Sequence, residues 1–397
     1  MNTHVFVLFS ALLVSTSFGC GDDADPSQDV QVREETDSVA TPQDMPESQT
    51  PVETPEPGPV VDPTPDPDPD PVDPMPDPMP APCLVDEGCI NTFPTQIFDT
   101  TVGGTRDKDT YSCRPDTNES GPERMYRIEM PTAGFLAVEV LSEDINTDVD
   151  VHLLLENDVA SCMDRGNYTA GAYLEPGTYW LAADTWVDSA GTEYAGAFEL
   201  SINVVTVDDL AALGIQRQAA EDAMTAFTTA WQRLDTKRFE YAITDFSMHS
   251  RLKRQWIYQM ATGQLLYNLT VGHGEGSIVG NDLGMASVFS NIPESHQSSV
   301  GLVKTAETYV GDYGYSLRID GLEPDFNSNV RDRFIVVHPW YGNRPDVVAT
   351  EGWVVPTWGC ATIDPAVSEQ VINTIRGGAL MFFWYPDATY RGASTYL

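Results

Sequence analysis

Two short stretches near the C-terminus, Ile335-Val336-Val337-His338 and Thr357-Trp358-Gly359-Cys360, decide which fold and chemistry this sequence predicts. The first is an apolar run that ends in a histidine, as expected where a strand ends. The second places a cysteine directly after a glycine. A thiol with a pKa of about 8.5 is mostly protonated at neutral pH, and a neighbouring imidazole can generate or pair with the thiolate. We therefore predict Cys360 as a nucleophile and His338 as its base.

The residues that precede Cys360 suit the same chemistry. Gly359 allows a tight turn, which leaves the backbone N–H groups of Trp358, Gly359 and Cys360 available to a developing oxyanion. Thr357 is expected to hydrogen-bond within that turn or to contact substrate. The alternative is structural: Cys360 is then a small buried hydrophobe and His338 a hydrogen-bonded residue at a strand end.

The wider pattern resembles the L,D-transpeptidases of the YkuD-like fold, whose signature is a strand-end His followed by Ser/Thr-x-Gly-Cys. Further stretches of the murein branch occur in the family's order within residues 243–385: Gly272-His273-Gly274, Phe289-Ser290-Asn291, Ser295 to Gly301, Glu307-Thr308-Tyr309 and Ser316 to Glu323. Two positions depart from many members, which have His where this chain has Trp358 and Arg where it has Thr362. Substrate positioning is therefore not copied from those members.

The resemblance implies a cysteine acyltransferase of the cell wall. Cys360 attacks the diaminopimelate carbonyl of a peptidoglycan stem tetrapeptide, and D-Ala leaves with a proton from His338. An amine of a second stem resolves the thioester and forms a 3-3 cross-link, or water resolves it, which is L,D-carboxypeptidase activity. No metal or organic cofactor is required. A surface lipoprotein that binds peptidoglycan or glycans without catalysis is the remaining alternative.

Polar residues upstream of the catalytic pair are the candidates for stem-peptide recognition, with an ordinary polar turn as the alternative. These candidates are Ser295, His296, Gln297, Ser298, Ser299, Asn291 and Arg318. Around them we predict a β-rich catalytic domain at residues 206–397, with its core at 240–386. A single packed helix at 210–234, capped by Asp208 or Asp209, precedes this core because apolar residues recur there at helical spacing.

Residues 83–205 alternate short apolar runs with turn residues, which predicts an antiparallel β-sandwich. Stretches such as Ala133-Gly134-Phe135-Leu136 and Pro176-Gly177-Thr178-Tyr179-Trp180 resemble bacterial pre-peptidase C-terminal domains, small jelly rolls appended to secreted enzymes. Four aspartates of this segment can gather around calcium or be solvated strand ends, and we expect the latter: Asp144, Asp148, Asp150 and Asp184. His152 is expected to be packed rather than to be a ligand.

Six cysteines are present, and their distribution suggests three roles. Cys20 is a candidate for lipidation. We expect disulfides between Cys83 and Cys89 and between Cys113 and Cys162, although four cysteines allow three pairings. Cys360 is far from the others in the sequence and has no obvious partner.

The N-terminus predicts export. Residues 1–20 contain no Asp, Glu, Lys or Arg, and their apolar run has the length of a signal-peptide core. The run ends at Cys20 in a stretch that resembles a bacterial lipobox, with plain signal-peptidase cleavage as the alternative. Residues 21–82 hold 17 of the 29 prolines and no aromatic residue, which is typical of a disordered spacer. We expect a protein that is lipid-anchored in the cell envelope, periplasmic and at the outer membrane.

The chain has 397 residues and a formal net charge of -39 at pH 7. Such a polyanion repels phosphate backbones, so we predict no nucleic-acid partner. Its expected partners are peptidoglycan stem peptides and, through Cys20, a membrane.

Overall fold

Alternating apolar residues form two packed sheets in the N-terminal part of the computed structural model, which describes residues 88–397. One sheet has the order β1-β3-β8-β5-β6 and the other β2-β9-β4-β7. Pairing is antiparallel except between β1 and β3. The strands are β1 Cys89–Ile90, β2 Thr95–Thr100, β3 Arg124–Met130, β4 Gly134–Glu143, β5 Val149–Leu154, β6 Cys162–Gly166, β7 Thr169–Leu174, β8 Gly177–Thr185 and β9 Ala197–Val205.

The inner faces of both sheets share one core. Ile128, Leu136 and Leu200, which lie on different strands, are all fully buried in it. This arrangement is the predicted β-sandwich. The predicted signal peptide, the lipidation site Cys20 and the spacer at 21–82 lie outside the described residues and stay predictions.

Two helices follow the sandwich where a single helix at 210–234 was expected. They are α1 Val207–Ala212 and α2 Arg217–Gln232. Gly214 lies between them with a φ of 93°. This left-handed conformation, which glycine adopts without strain, ends α1. The expected caps were also wrong: Thr206 caps α1, and Asp209 is the third helical residue of a capping box with it.

The C-terminal part is built on an eight-stranded sheet with the order β12-β11-β10-β17-β13-β14-β15-β16. The pairs β10–β17 and β15–β16 are parallel and the others antiparallel. Its strands are β10 Glu240–Asp245, β11 Gln255–Gln259, β12 Gln264–Leu269, β13 Gly301–Gly311, β14 Gly314–Gly321, β15 Val336–Pro339, β16 Ala361–Ile363 and β17 Leu380–Trp384. Three helices accompany them: α3 Pro345–Glu351, α4 Ser368–Ile375 and α5 Ala388–Ala393.

Both faces of this sheet are covered, so successive residues of a strand enter different cores. In β10, Tyr241 and Ile243 join the core that contains α2, whereas Ala242 joins the core that contains α4. Phe135 of the sandwich packs edge-on against Phe227 of α2 at 5.0 Å between ring centroids. The first core therefore runs across residue 206, and the predicted division at that residue stays a prediction. The mainly β fold is confirmed.

The structure tests part of the expected disulfide framework. Cys113 and Cys162 are bonded, with 5.5 Å between their Cα atoms, as predicted. Cys89 is also disulfide-bonded, but its expected partner, Cys83, lies outside the described residues. No helix of residues 88–397 is long and apolar enough to cross a bilayer.

The aspartates of the sandwich differ from expectation. Asp150 and Asp184 are opposite each other, at the second residue of β5 and the second-to-last residue of β8, and both are at most 1% exposed. They are therefore not solvated strand ends, because the adjacent strands and the loop around Glu119 cover them. Asp144 is exposed, as expected. His152 is fully buried, which confirms that it is packed.

Candidate active site

The parallel pair β15–β16 brings the two predicted catalytic residues to one face of the sheet. His338 lies opposite Thr362 in the register of this pair, and Cys360 precedes Thr362 by two residues. Cys360 directly precedes β16, and because side chains two residues apart in extended chain share a face, its side chain is expected on the face that His338 occupies. Val336, two residues before His338, packs directly against Cys360.

His338 is held as a neutral base. Its Nδ1 is 2.8 Å from the carbonyl oxygen of Pro339, which can only accept, so Nδ1 carries the proton and Nε2 has a lone pair. Nε2 is buried without a hydrogen-bond partner among the described residues. Burial lowers the pKa of His338 to about 4. The ring of Tyr313 stacks on the imidazole at 4.7 Å between centroids, which fixes its plane.

The turn before Cys360 requires a glycine. Gly359 has a φ of 118°, and a Cβ there would lie 2.6 Å from Cδ1 of Ile335 and 2.7 Å from the carbonyl oxygen of Gln297. Both distances are far below van der Waals contact. The turn therefore depends on glycine for its conformation and for the close approach of Gln297.

The hydroxyl of Thr357 makes two hydrogen bonds within this turn. Its Oγ1 accepts the N–H of Gly359 at 3.2 Å and donates to the carbonyl oxygen of Cys360 at 3.0 Å. Of the two roles expected for Thr357, the structure shows the hydrogen bond within the turn. It also corrects one expectation, because the N–H of Gly359 is taken and does not face an oxyanion. The N–H of Trp358 donates to no acceptor within residues 88–397 and remains a candidate donor to an oxyanion.

Cys360 is fully buried, and its Sγ is 3.6 Å from the carbonyl oxygen of Phe334. It is also disulfide-bonded in this structure, which contradicts the expectation that it has no partner. Long sequence separation does not prevent two cysteines from meeting in a fold. A disulfide sulfur is not a nucleophile, so any thiol chemistry at this site belongs to the reduced form.

His296 and Trp358 form an aromatic wall beside the cysteine. Their rings stack at 4.2 Å between centroids and 10° between planes. Nδ1 of His296 lies 2.9 Å from Oε1 of Glu275, and the ring is partly exposed. Trp358 also packs against the buried pair Val336 and Cys360. The aromatic wall therefore extends from the partly exposed His296 to the buried cysteine.

The serines of the predicted recognition segment are largely occupied by the protein itself. Oγ of Ser298 accepts the N–H of Gly274 at 3.0 Å and donates to the carbonyl oxygen of Gly359 at 3.2 Å. Oγ of Ser299 donates to the carbonyl oxygen of Ser290 at 2.9 Å. Both serines are buried, so they position the nucleophile turn and the loop rather than face a substrate.

Arg333 organises the same loop, and sequence analysis did not single it out. Its guanidinium donates to the carbonyl oxygens of Ser290 and Gln297, at 2.5 and 2.6 Å, and to the hydroxyls of Ser295 and Ser299, at 3.1 and 2.9 Å. Burial lowers the pKa of Arg333. No local pattern marks this residue, because its four acceptors come from a distant segment.

The two remaining candidates for recognition differ in position. Asn291 donates to the carbonyl oxygen of Pro324 and to the hydroxyl of Ser328, at 3.1 and 3.0 Å, so its amide braces two loops. Arg318 lies opposite Val336 across β14 and β15, with its guanidinium 4.3 Å from the ring centroid of Tyr309. Tyr309 packs against the cluster that contains Cys360, which makes Arg318 a partly exposed cation beside the site.

A buried polar pair supports the nucleophile turn from behind. The carbonyl oxygen of His273 accepts the N–H of Thr357 at 2.9 Å. Its Nδ1 lies 2.8 Å from Nη2 of the fully buried Arg254, whose guanidinium also binds the carbonyl oxygens of Val271 and Met248. Burial, the Arg254 charge and the His249 charge lower the pKa of His273 to about 3.

A cysteine and a neutral imidazole on one strand face, next to a glycine turn, are groups that can support nucleophilic chemistry by a thiol when the cysteine is reduced. Residues 211–384 match the family model of the L,D-transpeptidase catalytic domain. That part of the chain therefore carries such a domain, as the sequence motifs indicated. The family supports a function of the L,D-transpeptidase or carboxypeptidase type on peptidoglycan and a cysteine-based enzyme.

Two solved structures are similar to parts of the chain. The pre-peptidase C-terminal domain of a Bacillus anthracis collagenase is 19% identical, and the match covers 29% of this chain and 93% of that one, with a TM-score of 0.20. An L,D-transpeptidase from Stackebrandtia nassauensis is 11% identical, with 46% and 77% of the two chains covered and a TM-score of 0.21. No curated protein sequence matches significantly.

Proposed function

We propose that the reduced protein is a peptidoglycan L,D-transpeptidase that uses Cys360 as its nucleophile and His338 as its base. The observation that carries this proposal is the basic Nε2 of His338, which is buried and has no hydrogen-bond partner within residues 88–397. It lies on the sheet face that Cys360 shares. A buried acceptor without a donor is costly in a purely structural site. In the reduced protein, the Cys360 thiol is the group that donates to this nitrogen during catalysis.

In the acylation step, the Cys360 thiol gives its proton to Nε2 of His338 while Sγ bonds to the diaminopimelate carbonyl carbon of a stem tetrapeptide. The tetrahedral intermediate then collapses. Its bond to the D-Ala nitrogen breaks, and the proton on His338 passes to that nitrogen. The N–H of Trp358 supports the oxyanion in this scheme, since Thr357 holds the N–H of Gly359.

In the second step, an amine or a water molecule attacks the thioester carbonyl carbon and gives its proton to Nε2 of His338. The bond from that carbon to Sγ then breaks, and the proton returns to Sγ of Cys360. An amine from a second stem peptide yields a 3-3 cross-link, and water yields a trimmed tripeptide. The aromatic wall of His296 and Trp358 offers an apolar surface to either stem. Arg318, which also lies 3.5 Å from Oε1 of Glu307, offers a cation to the free carboxylate of diaminopimelate.

The proposed location follows from the substrate and the N-terminal sequence. Peptidoglycan lies in the cell envelope, and residues 1–20 predict export with lipidation at Cys20. An acidic spacer at 21–82 then holds the folded part away from the membrane and within reach of the polymer. The anchor and the choice of the outer membrane belong to this proposal.

The test uses the full-length protein in a phosphine reductant with disaccharide tetrapeptides that contain diaminopimelate. We expect D-Ala release from the wild type, none from Cys360→Ala and a loss of at least about a hundredfold in His338→Gln. His249→Gln is the matched control, because His249 lies outside the site and is bonded to Asp282. Release by Cys360→Ala would contradict the mechanism, and a folded but inactive wild type would favour a non-catalytic binder. Product masses separate cross-linked dimers from trimmed monomers.

A further inference from the structure

The β-sandwich buries four carboxylates on one side of its five-stranded sheet, away from the proposed active site. Glu119, Glu123, Asp150 and Asp184 are each at most 1% exposed. Both oxygens of Asp184 are bound, by the Tyr111 hydroxyl and the N–H of Thr185. Glu123 is bound at Oε1 alone, by Thr105 and the N–H of Asp107, and its Oε2 has no hydrogen-bond partner among the described residues. Glu119 and Asp150 have one cationic partner between them, which is Arg165.

Arg165 leaves part of this pair unsatisfied. Its Nη2 contacts Oδ2 of Asp150 and lies 3.3 Å from Oε1 of Glu119. The other oxygens, Oδ1 of Asp150 and Oε2 of Glu119, are buried and have no hydrogen-bond partner among the described residues. Two carboxylates thus share a single guanidinium, and Glu119 lies within hydrogen-bond reach of Asp150. A shared proton or a further cation is needed to offset their repulsion.

A third side chain is aimed at the same point. His152 is fully buried, and neither of its ring nitrogens has a hydrogen-bond partner among the described residues. The ring of Tyr111 stacks on it at 3.6 Å between centroids and 13° between planes, and the Tyr111 hydroxyl is fixed by Asp184 at 2.6 Å. The imidazole is therefore held in one orientation, with its nitrogens available to a ligand.

The distances suit one bound ion better than a hydrogen bond. Nε2 of His152 is 3.7 Å from Oε1 of Glu119, which is too long for a hydrogen bond. Two ligands of a tetrahedral ion with bonds of about 2.0–2.1 Å lie roughly 3.3–3.4 Å apart. Donor atoms of Glu119, Asp150 and His152 all lie within 4.8 Å of one another.

We propose that Glu119, Asp150 and His152 bind one divalent transition-metal ion of the Zn²⁺ class. Imidazole with carboxylates is a donor set that suits Zn²⁺, whereas Ca²⁺ requires six to eight oxygen ligands. Cys113 and Cys162 also lie within 4.8 Å of His152, but their sulfurs are bonded to each other and are not thiolate ligands. The site joins the loop of Glu119 to strand β5.

The full-length protein, stripped with a chelator and free of affinity tags, is titrated with Zn²⁺ by calorimetry. We expect one equivalent bound per chain and a higher unfolding temperature in the presence of the ion. Glu119→Gln and Asp150→Asn keep side-chain size and should weaken binding more than about tenfold. Asp144→Asn makes the same chemical change at an exposed position of the same module and should bind as the wild type does.

Two results would overturn the site. A folded wild type, checked by circular dichroism, that binds no Zn²⁺ shows that Arg165 alone neutralises the cluster. Binding that is equally tight in Glu119→Gln, Asp150→Asn and wild type places the ion elsewhere. If either Glu119→Gln or Asp150→Asn fails to fold, the other variant alone is compared with the wild type. The wild-type titration shows whether Zn²⁺ binds, whichever variants fold.

Discussion

The rings of His296 and Trp358 lie face to face, 4.2 Å apart and within 10° of parallel, directly beside the cluster that buries Cys360. His296 adopts a φ of 51°, so the loop holds the ring there despite an uncommon backbone conformation. A partly exposed stack of this kind, next to the nucleophile, is suited to a substrate backbone rather than to the core.

We expect His296→Ala to raise KM for the stem tetrapeptide several-fold and to change kcat little. An aromatic pair contributes about 0.5–1.5 kcal/mol beyond its buried area, and this stack lies beside the reacting atoms rather than on them. Steady-state kinetics of D-Ala release measures both constants, with His249→Ala as control. An unchanged KM would show that the wall does not contact the substrate.

Gly359→Ala should unfold the nucleophile turn locally and lower kcat/KM by at least about a hundredfold, because displacement of a catalytic group by about 1 Å has an effect of that size. Gly352→Ala is a matched control. Gly352 also has a positive φ, 85°, but a Cβ there meets nothing within 4 Å. The control should cost about 1–2 kcal/mol of stability and keep its activity. Equal activities in the two variants would contradict a close-packed turn.

Thr357→Val keeps the shape of the side chain and removes both hydrogen bonds of Oγ1. We expect a loss of about 1–3 kcal/mol in the free energy of unfolding and a kcat about ten- to a hundredfold lower, with recovery in Thr357→Ser. Thr350→Val serves as control, since the Thr350 hydroxyl bonds only within the exposed helix α3. Chemical denaturation and D-Ala release provide the two readouts. Full activity of Thr357→Val would remove Thr357 from the positioning of Cys360.

Stability should fall as pH decreases from about 6.5 to about 4. Burial lowers the pKa of His338 to about 4, against about 6.5 in an unfolded chain. Between these values the unfolded chain binds a proton that the folded one does not, so unfolding becomes easier as pH falls. The contribution of this residue is roughly 2–4 kcal/mol. His338→Gln should flatten the dependence of the unfolding free energy on pH, and an equally steep profile would contradict a buried neutral imidazole.

Sequence patterns predicted strand β15, whose apolar run ends in His338. They missed β13, because Lys304 and Glu307 interrupt its apolar residues. The strand is stabilised by its hydrogen-bonded neighbours, β14 on one side and β17 on the other. One glycine, Gly214, divided a helix that the apolar spacing made continuous. Local patterns indicate secondary-structure propensity and periodicity, but they do not show which residues from distant segments will be in contact.

The same limit applies to the site. Arg333 binds four acceptors from a segment more than thirty residues away, and no spacing rule connects them. Ser298 was a candidate for substrate contact, yet its hydroxyl bonds to the nucleophile turn. For Thr357, the structure shows the first of its two expected roles, the hydrogen bond within the turn. Asp150 was expected to be a solvated strand end, whereas the fold buries it beside Glu119 and His152.

The most direct test of the central claim is the identity of the acylated residue. The reduced full-length protein is mixed with diaminopimelate tetrapeptide, quenched in acid and digested for peptide mass mapping. The account predicts an adduct of the tetrapeptide without its D-Ala on the peptide that contains Cys360, absent from Cys360→Ala and lost on treatment with hydroxylamine. An adduct on another residue would contradict this mechanism. D-Ala release while the peptide that contains Cys360 carries no adduct would also contradict it.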